Sequence, residues 1–187
     1  MHGSGMLRNV ALGIRDVLCR RTEVSRVRYL GLAAAISLTL SGVGVAVYWL
    51  VFTWLFALDT PPVPPEGIPH VLEMHIDWVV LAPIGETLVM MLLVGIARVF
   101  TVREGVHIFT GAVPLGLVHA LEGVSIYDAG GHAIVSVLGF LVFSFVYVVW
   151  RRTSRRDAFW MSAGVHMIHN LAVVVLAMLD HALLGNG

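Results

Sequence analysis

Five polar side chains that lie in apolar stretches are the candidates for chemistry in this sequence: Glu86, His119, His166, His169 and Asn170. A carboxylate and an imidazole at one site can together activate a water molecule as a general base. A second imidazole and an amide can donate hydrogen bonds to a developing oxyanion. The set therefore predicts hydrolysis, provided that the elements carrying these residues bring them together.

The same residue types leave a metal-based chemistry open. Glu86, His119 and His166 form a Glu–His–His set of the type that binds Zn²⁺ and keeps one position for water. Taken singly, each histidine is more simply explained as an imidazole hydrogen-bonded to a helix carbonyl. Only the combination with Glu86 favours a shared site. The single cysteine, Cys19, excludes an internal disulfide and any CxxC metal site.

Glu86 interrupts the stretch from Trp78 to Ala97, which is otherwise apolar or small apart from Thr87. As a helix this stretch is about 30 Å long, the thickness of the hydrocarbon core of a bilayer. A carboxylate within about two turns of the midplane costs about 2.5–3.5 kcal/mol even on insertion scales. One interpretation is a protonated glutamate that joins two helices. A functional site is favoured, because ionisable residues inside membranes usually serve function.

The composition is that of a polytopic membrane protein. The chain has 187 residues, of which 58% are hydrophobic and 13% are charged, whereas soluble domains are about 45–50% apolar and about 25% charged. We expect an all-α membrane helix bundle that forms one transmembrane domain over residues 29–187, after a basic cytoplasmic leader over residues 1–28. The apolar runs predict five spans, at 29–58, 78–97, 106–121, 133–150 and 158–179.

The candidate residues fall on three of the predicted spans. Glu86 lies on the second span, His119 on the third, and the remaining candidates on the fifth. His166 and Asn170 are four residues apart and share a helix face, with His169 on a flanking face. The first and fourth spans carry no such group, so we expect them to pack outside the site.

The basic residues of the chain are all arginines and predict its orientation. With the N-terminus inside, five spans place all twelve arginines on the cytoplasmic side, as the positive-inside rule requires. The C-terminus is then outside, and we expect an integral protein of the cytoplasmic (inner) membrane of a prokaryote. Six of the arginines lie in the leader, which predicts either an amphipathic surface helix or a disordered basic segment. The basic residues lack interleaved aromatics, so nucleic-acid binding is not expected.

Three short motifs in this order resemble those of the CPBP family, which comprises the type II CAAX prenyl proteases and Abi-type bacterial relatives. That family carries Glu-Glu-x-x-x-Arg, then Phe-x-x-x-His, then His-x-x-x-Asn on successive membrane helices. In this chain ETLVMM, which begins at Glu86, occupies the first motif, LGLVH the second and HMIHN the third. Pro83 precedes the first motif, as is usual in the family. The resemblance covers residues 78–175.

The resemblance implies an intramembrane endopeptidase that cleaves a membrane-associated peptide or protein, either prenylated or bearing a leader. By resemblance, Glu86 and His119 activate the attacking water. His166 and Asn170 then stabilise the oxyanion, also by resemblance. The presence of zinc and the oligomeric state are left open by the sequence.

Three positions depart from the family motifs. Thr87 replaces the second Glu, Met91 replaces the Arg, and Leu115 replaces the Phe. These departures keep two alternatives open. One is a non-catalytic relative that acts as an immunity or binding protein. The other is a small transporter that uses Glu86 and the histidines as a proton relay, although inverted repeats and broken-helix pairs are not evident in the sequence.

Overall fold

The computed structural model describes residues 12–19, 23–55, 76–122 and 126–184, and all regular structure in these ranges is helical. A short helix at 12–18 is followed by five longer helices. These are α1 (Arg26–Leu55), α2 (Ala82–Phe100), α3 (Glu104–Val118), α4 (Ile126–Trp150) and α5 (Arg155–Leu184). The prediction of an all-α protein is confirmed.

Four helical stretches are long and apolar enough to cross a membrane: Arg26–Val51, Asp77–Phe100, Ala129–Trp150 and Arg155–Leu179. They correspond to the first, second, fourth and fifth predicted spans. The third predicted span is instead the 15-residue helix α3, continued by a 3-10 turn at His119–Glu122. At 1.5 Å per residue, α3 alone is about 22 Å long, which is shorter than a bilayer core.

The predicted spans leave residues 122–132 as a connection, but α4 already begins at Ile126. Gly131 lies inside α4 rather than in a loop. A Cβ atom there would lie 3.0 Å from the ring of Tyr48 on α1. The glycine therefore allows a close helix contact, as small residues do in membrane bundles.

The fourth predicted span, contained in α4, is the central helix of the bundle, and the expectation that it packs outside the site is wrong. Its membrane-length stretch is 56% buried, whereas the other three stretches are 22–28% buried. Phe140, Phe143, Val146 and Tyr147 are all buried in the core. No pattern in the sequence indicates this arrangement, because a uniformly apolar helix fits lipid and protein equally well.

The helix α3 packs very closely on α4. A Cβ atom on Gly116 would lie 2.6 Å from the backbone of Val137, so only glycine fits there. A Cβ atom on Gly111 would similarly lie 2.7 Å from Oγ of Ser144. These two glycines fix the distance between the helices and, with it, the position of His119 three residues after Gly116.

The basic ends of the helices meet at one end of the bundle. Arg26 at the start of α1 donates a hydrogen bond to Asp157 near the start of α5, at 2.9 Å. Arg152, just after α4, pairs with Glu104 at the start of α3. The helix at 12–18 also lies at this end, since the hydroxyl of Tyr29 donates to the carbonyl of Leu18 at 3.0 Å.

The leader and the connection between the first and second predicted spans are described only in part. Residues 12–18 are helical, and Val17 and Leu18 pack against the core, in line with the helical alternative for the leader. Residues 1–11 and 56–75, which include most of the connection between the first and second predicted spans, lie outside the described residues.

Candidate active site

Glu86 of α2 lies between two histidines from different helices. Its Oε1 is 3.5 Å from Nε2 of His119, the first residue of the 3-10 turn after α3. Its Oε2 is 3.4 Å from Nε2 of His166 on α5. The structure therefore brings three of the four motif residues of the sequence into direct contact, from three separate helical elements.

The contact distances and the exposure of the three side chains bear on their chemistry. Both N···O distances exceed the 2.7–3.2 Å of an ordinary hydrogen bond, by an amount that is common in catalytic sites without substrate. The Glu86 and His119 side chains are each 24% exposed, whereas that of His166 is 6% exposed. A small reactant such as water can therefore reach the Glu86–His119 pair more readily than it can reach His166.

Two phenylalanines of α4 hold the imidazole rings in place. Phe143 stacks on His166 with the ring centroids 4.1 Å apart and the planes at 21°. Phe140 stacks on His119 at 5.6 Å and meets His166 edge-on at 5.4 Å. The sequence analysis missed both residues. Their spacing of three in an apolar helix would have placed them on one face, but nothing in the sequence indicated what that face contacts.

His169 serves a contact between helices rather than the carboxylate. Its Nδ1 shares a buried hydrogen bond of 3.0 Å with Oγ of Ser37 on α1. Ser37 is fully buried, and this contact satisfies a polar pair inside an apolar bundle. The first span was expected to pack outside the site, but Ser37 on α1 contacts His169, a candidate site residue.

The turn before α2 has a π-helical register, at Asp77–Leu81, and Pro83 lies two residues after it. The amide of Ala82 donates to the carbonyl of Asp77, five residues back. In the same register the carbonyl of Trp78 would accept from residue 83. Because residue 83 is proline and has no N–H, that carbonyl has no backbone donor.

Asn170 supplies the missing donor. Its Nδ2 donates to the carbonyl oxygen of Trp78 at 2.8 Å. The fourth predicted site residue is thus directed toward the π-helical turn, about one helical turn along α5 from His166. A primary amide has two N–H groups, so one remains for a second acceptor. The contact therefore gives Asn170 a structural partner while leaving one donor for an oxyanion.

The positions that depart from the family motifs are occupied by packing residues. Thr87 is 2% exposed and lies within the bundle, where the family places its second glutamate. Met91 is partly buried and packs against the core in place of the arginine. Leu115 is buried in the core as well. All three fill space that the family motif would give to charged or aromatic side chains.

His107, near the start of α3, is a buried residue that is 5% exposed. Its Nε2 donates to the carbonyl of Thr101 at 2.9 Å. The amide of His107 also donates to the carbonyl of Arg103. His107 thus closes the connection between α2 and α3 and takes no part in the Glu86 cluster.

The three candidate zinc ligands do not form a metal site in this arrangement. Within the described part of the chain, no group of three or more His, Cys, Asp or Glu side chains is placed to hold a metal ion. The two imidazoles contact opposite oxygens of Glu86 rather than a common point. No step of the proposed chemistry is therefore assigned to zinc.

Comparison of the chain with protein-family models, with curated proteins and with solved structures found no significant match. The resemblance to the CPBP motifs thus stays a prediction from short motifs.

Proposed function

We propose that this protein is an intramembrane endopeptidase of the CPBP type. The observation that carries the proposal is the carboxylate of Glu86 held between His119 and His166. A carboxylate in contact with two imidazoles inside a helix bundle is the arrangement that general-base activation of water needs. Three short motifs, in the order that the CPBP family has, support the same assignment.

In the proposed reaction, Glu86 accepts a proton from a water molecule while His119 orients that water. The water oxygen attacks the carbonyl carbon of the scissile peptide bond. Nε2 of His166 and the second N–H of Asn170 donate to the carbonyl oxygen as it becomes an oxyanion. Collapse of the tetrahedral intermediate breaks the C–N bond, and Glu86 passes its proton to the leaving amine.

The proposed membrane topology has five crossings with the N-terminus in the cytoplasm. The helix α3 and its 3-10 turn together rise about 30 Å, which is enough to cross a bilayer core. The pairing of Glu104 with Arg152 supports this path, because it places the start of α3 at the arginine-rich end. The proposed location is the inner membrane of a prokaryote, and the proposed substrate is a membrane-associated peptide or protein, prenylated or leader-bearing.

One observation favours the second candidate function, a non-catalytic immunity or binding protein. Asn170 already donates to Trp78, so one of its two donors is committed to the fold. The loss of the second Glu and of the Arg of the first motif, at Thr87 and Met91, points the same way. A direct test of catalysis separates the two functions.

The test compares the wild type with Glu86→Gln in membranes of the producing cells, by mapping the N-termini of membrane proteins. Glu86→Gln keeps the shape of the side chain but removes the base, so we expect cleavage to fall by about 10²–10⁴-fold. Glu23→Gln is the matched control, because Glu23 is exposed and lies outside the membrane-length helices. Its pattern of new N-termini should equal that of the wild type.

Each outcome bears on the proposal. New N-termini that depend on Glu86 support the peptidase. Equal cleavage by the wild type and by Glu86→Gln would remove Glu86 as the base. New N-termini in none of the three samples would favour the non-catalytic relative. Inhibition of Glu86-dependent cleavage by a zinc chelator would favour zinc-based chemistry, which the arrangement of Glu86, His119 and His166 does not support.

A further inference from the structure

A second polar site lies at the arginine-rich end of the bundle, away from Glu86. A cavity of about 240 Å³ opens just beyond the ends of α2 and α4, and its lining includes Arg98, Arg151 and Arg152. Arg98 is twelve residues after Glu86 on α2, which is about 18 Å along the helix axis. The cavity is therefore separate from the candidate active site, and it goes beyond the proposed function.

The cavity carries an excess of positive charge. Its lining contains three guanidinium groups and one carboxylate, that of Glu104. Nε of Arg152 donates to Glu104 at 3.0 Å, and these hydrogen bonds raise the pKa of Arg152. Among the residues that the structure describes, neither Arg98 nor Arg151 has a carboxylate partner. The positive charges of Arg98 and Arg151 are thus not balanced by a neighbouring carboxylate of the described residues.

One of these groups has a buried donor without an acceptor. In the described part of the chain, Nη1 of Arg151 is buried and has no hydrogen-bond partner. Burial also lowers the pKa of Arg151, as expected for a cation drawn out of water. Unsatisfied buried donors are rare because they are costly. An acceptor from outside the chain would satisfy this one, and the surrounding charge selects an anion.

The surroundings of the cavity indicate which kind of anion. The membrane-length stretches end at Phe100 and Trp150, so the cavity lies at the depth of the lipid headgroups. Val99, Phe100 and Val102 beside it are 80%, 83% and 92% exposed. A free anion needs no apolar border, whereas a phospholipid presents a phosphate together with acyl chains. Basic pockets at the cytoplasmic ends of membrane helices suit anionic headgroups.

We propose that this cavity binds the headgroup phosphate of an anionic phospholipid, with Arg98 and Arg151 as its ligands. Guanidinium groups suit a phosphate because they offer paired donors. The acyl chains of the lipid lie along the exposed apolar side chains at the end of α2. The headgroup of this lipid fills the cavity between the end of α4 and the connection from α2 to α3.

The test uses the delipidated full-length protein in a neutral detergent, titrated with dioleoylphosphatidylglycerol and followed by native mass spectrometry. Val102→Asp and Val102→Asn form a nearly isosteric pair at an exposed position that lines the cavity. The added carboxylate should weaken binding of this lipid by about fivefold relative to Val102→Asn, since one charge near the headgroup contributes about that factor. The combined Arg98→Gln and Arg151→Gln variant should lose at least as much.

Arg156→Gln is the control, because Arg156 is exposed and does not line the cavity. We expect it to bind the lipid within about twofold of the wild type. Equal binding by Val102→Asp and Val102→Asn would overturn the proposal even if the arginine variants failed to fold. Equal affinity for dioleoylphosphatidylcholine would also overturn it. Displacement of the lipid by an equal concentration of inorganic phosphate would replace the lipid site with a free-anion site.

Discussion

At the scale of single residues, most polar groups of the site have a polar neighbour inside an apolar bundle, whereas Nδ1 of His166 is buried without a hydrogen-bond partner among the described residues. Glu86 has an imidazole at each carboxylate oxygen, and His169 has the hydroxyl of Ser37. Asn170 satisfies a carbonyl that a proline leaves without a donor. Because unpaired polar groups in hydrocarbon cost several kcal/mol, each of these contacts also restricts how the helices can pack.

The pairing of Asn170 with Trp78 leads to a prediction that separates structure from catalysis. Asn170→Ala should lower the free energy of unfolding by about 1–2 kcal/mol, because it leaves the Trp78 carbonyl without a donor. Pro83→Ala supplies a backbone N–H for that carbonyl. In a Pro83→Ala background, the loss of unfolding free energy caused by Asn170→Ala should therefore be smaller by at least about 1 kcal/mol. Reversible unfolding in mixed detergent micelles measures both costs.

Activity should behave differently from stability in the same variants. If Asn170 also stabilises the oxyanion, Asn170→Ala should lower the cleavage rate by about 10²–10³-fold. Pro83→Ala should then restore stability without restoring the rate. Recovery of the rate together with stability would assign Asn170 a purely structural role.

At the scale of elements, the positions of the two imidazoles next to Glu86 depend on a neighbouring helix that carries none of the candidate site residues. The helix α4 presents Phe140 and Phe143 to the two imidazoles. The hydroxyl of Ser162 on α5 donates to the carbonyl of Phe143 at 3.0 Å, which joins the two helices next to the site. The close contact of α3 with α4 then sets how near His119 can come to Glu86.

Gly116 offers a test of that close contact. Gly116→Ala should destabilise the protein by about 1–3 kcal/mol, because the added Cβ meets the backbone of Val137 and cannot be accommodated by a side-chain movement. It should also lower activity by displacing His119. Gly95→Ala is the control, because a Cβ there meets nothing within 4 Å and alanine is the better helix former. A Gly116→Ala variant as stable as Gly95→Ala would show that the two helices have room to separate.

At the scale of the whole molecule, charge and length together favour one orientation in the membrane. The arginines at the starts of α1 and α5 and at the ends of α2 and α4 gather at the same end of the bundle. Two ion pairs, Arg26–Asp157 and Glu104–Arg152, join elements at that end. An end with so many guanidinium groups is expected to face the cytoplasm.

The single native cysteine makes this orientation testable in the full-length chain. Cys19 should be protected from a membrane-impermeant maleimide in intact spheroplasts and should react after permeabilisation. In a Cys19→Ser background, Gly67→Cys, Gly123→Cys and Gly187→Cys should all react without permeabilisation, as five crossings require. Protection of Gly123→Cys would show that α3 does not cross, and protection of Gly187→Cys would mean an even number of crossings.

The sequence by itself determined that the protein is a bundle of apolar helices, and it singled out Glu86, His119, His166 and Asn170 as one set. Both inferences depend on local properties. Apolar length selects a helix in a membrane, and an ionisable residue inside such a helix requires a partner. The start of the fourth helix was misjudged, where Gly131 marks close packing instead of a loop, and so was the expectation that this helix packs outside the site.

The tertiary structure alone decided which residues those polar groups meet. Phe140, Phe143 and Ser37 have no distinctive sequence pattern, since apolar and small residues face lipid and protein alike in a membrane helix. The tie between Asn170 and Trp78 joins positions 92 residues apart. It depends on a register shift that Pro83 makes possible, but only the packing of α5 against the π-helical turn shows which side chain satisfies the carbonyl.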